Sequence, residues 1–114
     1  MKEIGGQLWI ENIPVINLAR EYGSPIFIYS AEQIKSNFGK YQNEVGSNDL
    51  ICYAVKANSN LHILKLLSEL GSGFDVVSGN ELKRCLKAGA DKNKIVFSGV
   101  AKSNEEIKLA VENE

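Results

Sequence analysis

After Pro25 the chain settles into a recurring pattern: a short apolar run, a polar turn, then apolar residues spaced three and four apart. Short runs rich in β-branched and aromatic residues read as buried strands, and the three-and-four spacing reads as one face of a helix. Residues 26–29 (Ile-Phe-Ile-Tyr) are the first expected buried strand, followed by a helix toward Asn43 with Ile34 and Phe38 on one face. Residues 50–55 are the second strand, followed by a helix from near Asn60 with Leu61, Leu64 and Leu67 on one stripe. Residues 73–77 and 95–97 are the third and fourth strands. Their helices carry Leu82, Cys85 and Leu86, then Ile107, Ala110 and Val111. Ser30 with Gln33, Ser78 with Glu81, and Ser103 with Glu106 have the spacing of capping boxes, while Gly71 and Gly89 are helix stops.

Residues 1–24 have a different texture. Leu8-Trp9-Ile10 reads as a strand, Pro14 interrupts the run, and residues 15–22 form a short helix ending at Gly23. This N-terminal segment reads as part of a separate β-substructure, and residues 25–114 as the repeating unit proper.

Strand–turn–helix units need parallel strands with helices packed outside them. An open doubly wound sheet and a (β/α) barrel both satisfy that requirement. A nucleotide-binding doubly wound sheet has little support: Gly71-Ser72-Gly73 precedes a strand, whereas a phosphate-binding glycine loop must follow one. A barrel takes eight units and about 250 residues, so four units are half of one. The expected fold class is therefore α/β: the N-terminal part of a (β/α)8 TIM-type barrel, about four βα units, preceded by a short strand-containing segment. The last helix is still running when the sequence stops, which reads as the front part of a longer protein whose inner strand edges need partners.

Composition narrows the function. The chain has 114 residues, 13 basic against 14 acidic, and no run of like charge, which argues against nucleic acid or an anionic membrane surface as partner. Neither a signal peptide nor a membrane span is visible, so the expected compartment is the cytoplasm. Cys52 and Cys85 fall at apolar positions without a metal or redox spacing, so no metal is expected.

In a barrel the C-terminal ends of the strands share one active-site mouth. Those positions are Tyr29 or Ser30, Lys56, Asp75 to Ser78, and Ser98 or Gly99. Lys56 follows the second strand directly. Desolvation would lower the pKa of an amine there and suit it to attack a carbonyl carbon and form a Schiff base; the alternative is an ammonium that reaches past the strand into water. Asp75 would orient that amine, or, as the alternative, bond to loop amides. His62 and Lys102 read as solvated side chains.

Several stretches resemble a known family. Tyr53-Ala54-Val55-Lys56-Ala57-Asn58 is similar to the cofactor-lysine motif of the alanine-racemase-type barrel enzymes that use pyridoxal 5'-phosphate. The stretch from Gly71 through Gly73-Phe74-Asp75-Val76-Val77 to Leu82, and Phe97-Ser98-Gly99-Val100-Ala101-Lys102-Ser103, resemble later blocks of the decarboxylase branch. Ser24-Pro25-Ile26-Phe27-Ile28-Tyr29 resembles the entry to that barrel. The resemblance implies pyridoxal phosphate as cofactor, Lys56 as its Schiff-base residue, and Asp75 close to Lys56 in the site, both catalytic and cofactor-binding. Among members of the branch the match implies those acting on meso-2,6-diaminopimelate, giving L-lysine and CO2. It also implies a small amino-acid substrate and a homodimer for the complete enzyme. Other diamine or polyamine precursors, and an inactive half barrel, are the alternatives. The sequence departs from the family at Asn80 and in the loop 99–103, and the phosphate loop and substrate-binding residues implied by the family lie outside residues 1–114.

Overall fold

The computed structural model describes residues 1–113. Its contacts group into two units, Met1–Ser36 and Asn37–Glu114.

In the first unit, β1 (Lys2–Ile4), β2 (Gln7–Ile10) and β3 (Ile13–Pro14) form an antiparallel sheet in that order. Gly5 and Gly6 make the two-residue turn between β1 and β2, at φ 58° and 74°. Two consecutive positive φ values match the twist of a hairpin, and glycine adopts them without steric cost. β1 is absent from the apolar pattern, because Ile4 is its sole large apolar residue besides solvent-facing Lys2 and Glu3. Pro14 does not break the run; it ends β3 and leads directly into α1 (Val15–Tyr22). Proline is tolerated there because a helix's first amides have no internal partner in any case.

Residues 26–29 are a correction. They carry no strand ladder among the described residues, and Phe27 is 92 % exposed. The alternation of a strand survives, with Ile26 and Ile28 half-buried and Phe27 and Tyr29 exposed. An apolar run specifies which side chains prefer cover, but a strand also needs a hydrogen-bonding neighbour.

α2 spans Ala31–Gln42 and buries Phe38, as its spacing requires. In the second unit, β4 (Cys52–Ala54), β5 (Gly73–Val76) and β6 (Ile95–Phe97) form a parallel sheet in the order β4-β5-β6. α3 (Leu61–Glu69), α4 (Gly79–Lys87) and α5 (Asn104–Val111) follow the three strands in turn. Parallel crossovers are almost always right-handed, so strands that step in one direction carry their helices on one face. A doubly wound sheet must reverse its order; this one does not. The barrel alternative is the one that holds.

The core lies between that face and the helices. Val55, Leu64, Phe74, Val76 and Cys85 are fully buried, joined by Leu67 and Leu82. The register places Ala54, Asp75 and Val96 side by side on the opposite face, with Cys52 beside Gly73. That face is open: Val96 is 52 % exposed and Asp75 is only half-buried.

β4 is shorter than expected. The chain leaves the ladder at Ala54 and turns through a 3-10 segment, Val55–Ala57. Val55 owes its apolar character to the core it fills rather than to strand pairing.

Candidate active site

Lys56 lies in the 3-10 turn immediately beyond β4, with its side chain exposed. Apolar Val55 anchors the turn from below, and the polar residues beyond it fix its exit. The Tyr53 hydroxyl donates to the Asn58 carbonyl at 3.2 Å, and Asn58 Oδ1 accepts from the Asn60 amide at 3.0 Å. Asn60 Oδ1 in turn accepts from the His62 amide at 2.9 Å and caps α3. The strand-to-helix turn that carries the lysine is thus held by side-chain bonds at three places. No hydrogen bond or ion pair engages the Lys56 ammonium among the described residues. In this chain the side chain of Lys56 is exposed.

Asp75 is the third residue of β5, paired in register with Ala54, two residues before Lys56. Its Oδ1 accepts a 2.5 Å hydrogen bond from the Ser98 hydroxyl, across the β5–β6 pair. Neither loop amides nor Lys56 is its partner here; a serine on the next strand end is. Sequence reading placed Ser98 at the same mouth without pairing it to Asp75. The signal that could have done so is register: when β5 and β6 run parallel, Val96 sits opposite Asp75, and Ser98 is two residues further along the same face.

The residues around the pair are small. Gly73 has no room for a side chain, since a Cβ would stand 2.6 Å from the Lys94 carbonyl oxygen and 2.8 Å from Cys52 Sγ. Burial pushes the Cys52 thiol pKa up, and the charge of Asp75 adds to it. Cys85 lies in the core, where burial raises its pKa to about 11. Cys85 fits the expectation of a small buried apolar residue, whereas Cys52 is only half-buried.

The site's other edge is the loop after β6. Gly99 has φ 93°, a conformation side chains rarely adopt. Lys102 is not the solvated lysine expected. It is half-buried, donates to the Gly99 carbonyl at 2.6 Å and lies 5.5 Å from the Phe97 ring centroid. Ser30, in the first unit, donates to Glu11 Oε1 at 2.7 Å, and its own hydroxyl accepts from the Gln33 amide at 3.0 Å. His62 is exposed, as expected. No group of metal-ligating side chains occurs among the described residues.

The donor set suits an aldehyde cofactor with a planar ring. A primary amine without a partner stands at a strand end, a held carboxylate lies on the neighbouring strand, and alanine, glycine and cysteine line the open face between them.

Comparison with known proteins agrees with that chemistry. The model of the family described as "Pyridoxal-dependent decarboxylase, pyridoxal binding domain" matches residues 31–114. A diaminopimelate decarboxylase of Vibrio cholerae is 50% identical over 108 residues, covering 94% of this chain and 26% of the relative. Among solved structures, a protein of Aquifex aeolicus superposes with a TM-score of 0.93 at 44% identity, covering 98% of this chain and 28% of that one. The diaminopimelate decarboxylase of Methanocaldococcus jannaschii in complex with L-lysine gives 0.87 at 39% identity, covering 96% and 27%. The chain spans about a quarter of the length of the curated relatives it matches. With its single-direction parallel sheet, its lysine turn and a family match over most of its length, the chain belongs to the pyridoxal-dependent decarboxylases, as part of their pyridoxal-binding barrel.

Proposed function

We propose that this chain is the lysine-bearing front of a decarboxylase that converts meso-2,6-diaminopimelate to L-lysine and CO2. The observation that carries the reading is the unengaged amine of Lys56 at a strand end, next to the strand that holds Asp75. Pyridoxal phosphate, when bound, supplies an electron sink for the pair of electrons left behind when CO2 departs. Lys56 Nζ would be the group that holds the cofactor by its aldehyde carbon. The Asp75 carboxylate provides a fixed negative charge on the adjoining strand, which favours the cationic form of a nitrogen near it and orients it. The small residues Ala54 and Gly73 leave space above the sheet, and further barrel strands would exclude water from it.

The substrate follows from the relatives, whose identities of 40 to 50% are with diaminopimelate decarboxylases. The complete enzyme is read as a cytoplasmic homodimer, with residues 1–24 in a β-substructure distinct from the barrel. No helix among the described residues is long and apolar enough to cross a membrane.

Borohydride reduction of the complete enzyme, followed by peptide mapping, tests the site. A pyridoxyl adduct is expected on the peptide containing Lys56 and lost in Lys56→Ala. An adduct that persists in that variant would sink the assignment.

A further inference from the structure

We infer that Ser98 is a positioning residue for the decarboxylation, acting on the cofactor site solely through Asp75. The inference rests on the reading of Lys56 and Asp75 given above and adds to it the group that aims the carboxylate. Asp75 is half-buried on the open face of the sheet, and the Ser98 hydroxyl makes the one hydrogen bond that Asp75 accepts among the described residues. An aspartate side chain turns freely about two bonds. A single donor at one oxygen is enough to select its rotamer, and a hydrogen bond to a carboxylate is stronger than one between neutral groups.

Ser98 is itself held in place. Its amide donates to the Val76 carbonyl at 2.9 Å, extending the parallel ladder one residue past β6. Beyond it, the turn at Gly99 has a positive φ, and the Gly99 carbonyl accepts from Lys102 Nζ. The Ser103–Glu106 capping box then starts α5. The serine hydroxyl is therefore presented from a backbone fixed on both sides, which is what a supporting residue needs if it is to hold another group within a fraction of an ångström. The register neighbours of Asp75, Ala54 and Val96, have side chains without a donor.

The test is a double-substitution cycle on the complete enzyme, read as the dissociation constant for pyridoxal phosphate added to apoenzyme, with thermal unfolding as the folding control. Ser98→Ala is expected to weaken cofactor binding about tenfold or more, as fits loss of a hydrogen bond to a charged group. Ser98→Thr, which keeps the hydroxyl, restores binding. Asp75→Asn weakens binding, and adding Ser98→Ala to it costs nothing further, because a residue acting through another has no effect once the other is removed. Additive losses, or a Ser98→Ala enzyme that binds as the unaltered one does, would overturn the role of Ser98. Borohydride trapping in the same samples separates the two claims. An adduct missing from Lys56 of the unaltered enzyme defeats the functional reading, whereas an adduct present alongside additive losses defeats only the role of Ser98.

Discussion

Gly73 opens β5 at a point where the backbone of the β6 entry and the side chains of Cys52 and Leu50 converge. A methyl group there would meet the Lys94 carbonyl oxygen at 2.6 Å, and because that atom is backbone it cannot swing aside. Gly73→Ala is expected to destabilise the protein by about 1–3 kcal/mol, the usual cost of overpacking, seen as a lower denaturation midpoint. An unchanged midpoint would mean that the two strands separate freely at this end. Cys85 makes a contrasting case. Fully buried, with its pKa raised to about 11, it is expected to resist alkylation at pH 8 in the native protein and to react once the protein is unfolded. Rapid native labelling of Cys85 would show that α4 opens readily from the sheet. Cys85, and Lys56 at its strand end, were legible from the one-dimensional pattern. The bond from Ser98 to Asp75 was not, because it joins residues 23 apart in the chain; nor was the half-buried state of Lys102, which depends on how the loop after β6 folds back on Gly99 and Phe97.

At the scale of elements, the helix termini were the most legible features. α3 and α4 both end in Schellman motifs. Ser72 N donates to the Leu67 carbonyl and Gly71 N to Ser68, and likewise Ala90 N donates to Cys85 and Gly89 N to Leu86. Gly71 and Gly89 have φ 88° and 85° with open space around them, so Gly→Ala at either is penalised by conformation alone, by about 1 kcal/mol, measurable as a shift in denaturant midpoint. The Ser103–Glu106 box is complete, while Glu81 returns its carboxylate to the Val77 amide rather than to that of Ser78, its expected partner. Glu106 also reaches beyond its own helix, accepting from the Gly79 amide at 2.8 Å and so joining the starts of α4 and α5. The Gly79 amide, then the Ser103 amide, hold its pKa below the ordinary 4.5. A carboxylate with a depressed folded-state pKa binds protons more readily when unfolded, so its contribution is present above pH 4.5 and disappears as pH falls through the folded value. The unfolding temperature should drop on acidification below 4.5, and Glu106→Gln should flatten that drop. Identical acid profiles for both proteins would contradict the bridge. Glu11 behaves alike in the first unit. Its carboxylate accepts from the Glu32 amide and the Ser30 hydroxyl at the start of α2, and these bonds lower its pKa. No sequence rule foretold that, since the carboxylate comes from 21 residues away and from a residue at φ 51°.

For the whole molecule the parallel sheet is the decisive feature. One face is sealed by three helices, while the other presents Val96 at 52 % exposure, beside an unpaired outer edge on both β4 and β6 among the described residues. Open edges and an uncovered apolar face invite pairing with another chain. The 114-residue chain, produced alone, is therefore expected to self-associate in sedimentation velocity, and the complete enzyme to give a discrete species. A well-behaved monomer of the short chain would show that the open face is tolerated in water.

The sequence by itself determined the alternation of strands and helices from residue 50 onward, the helix starts and stops, and the placing of Lys56 and Asp75 at neighbouring strand ends. All of these rest on periodicity, φ preference and residue type, which act over a few residues. Tertiary structure alone decided that the strands step in one direction, that residues 26–29 stay without a ladder, and that Ser98 donates to Asp75. Each of those depends on which distant segment a backbone or hydroxyl group meets, and such a group carries no mark in the sequence of which distant partner will satisfy it.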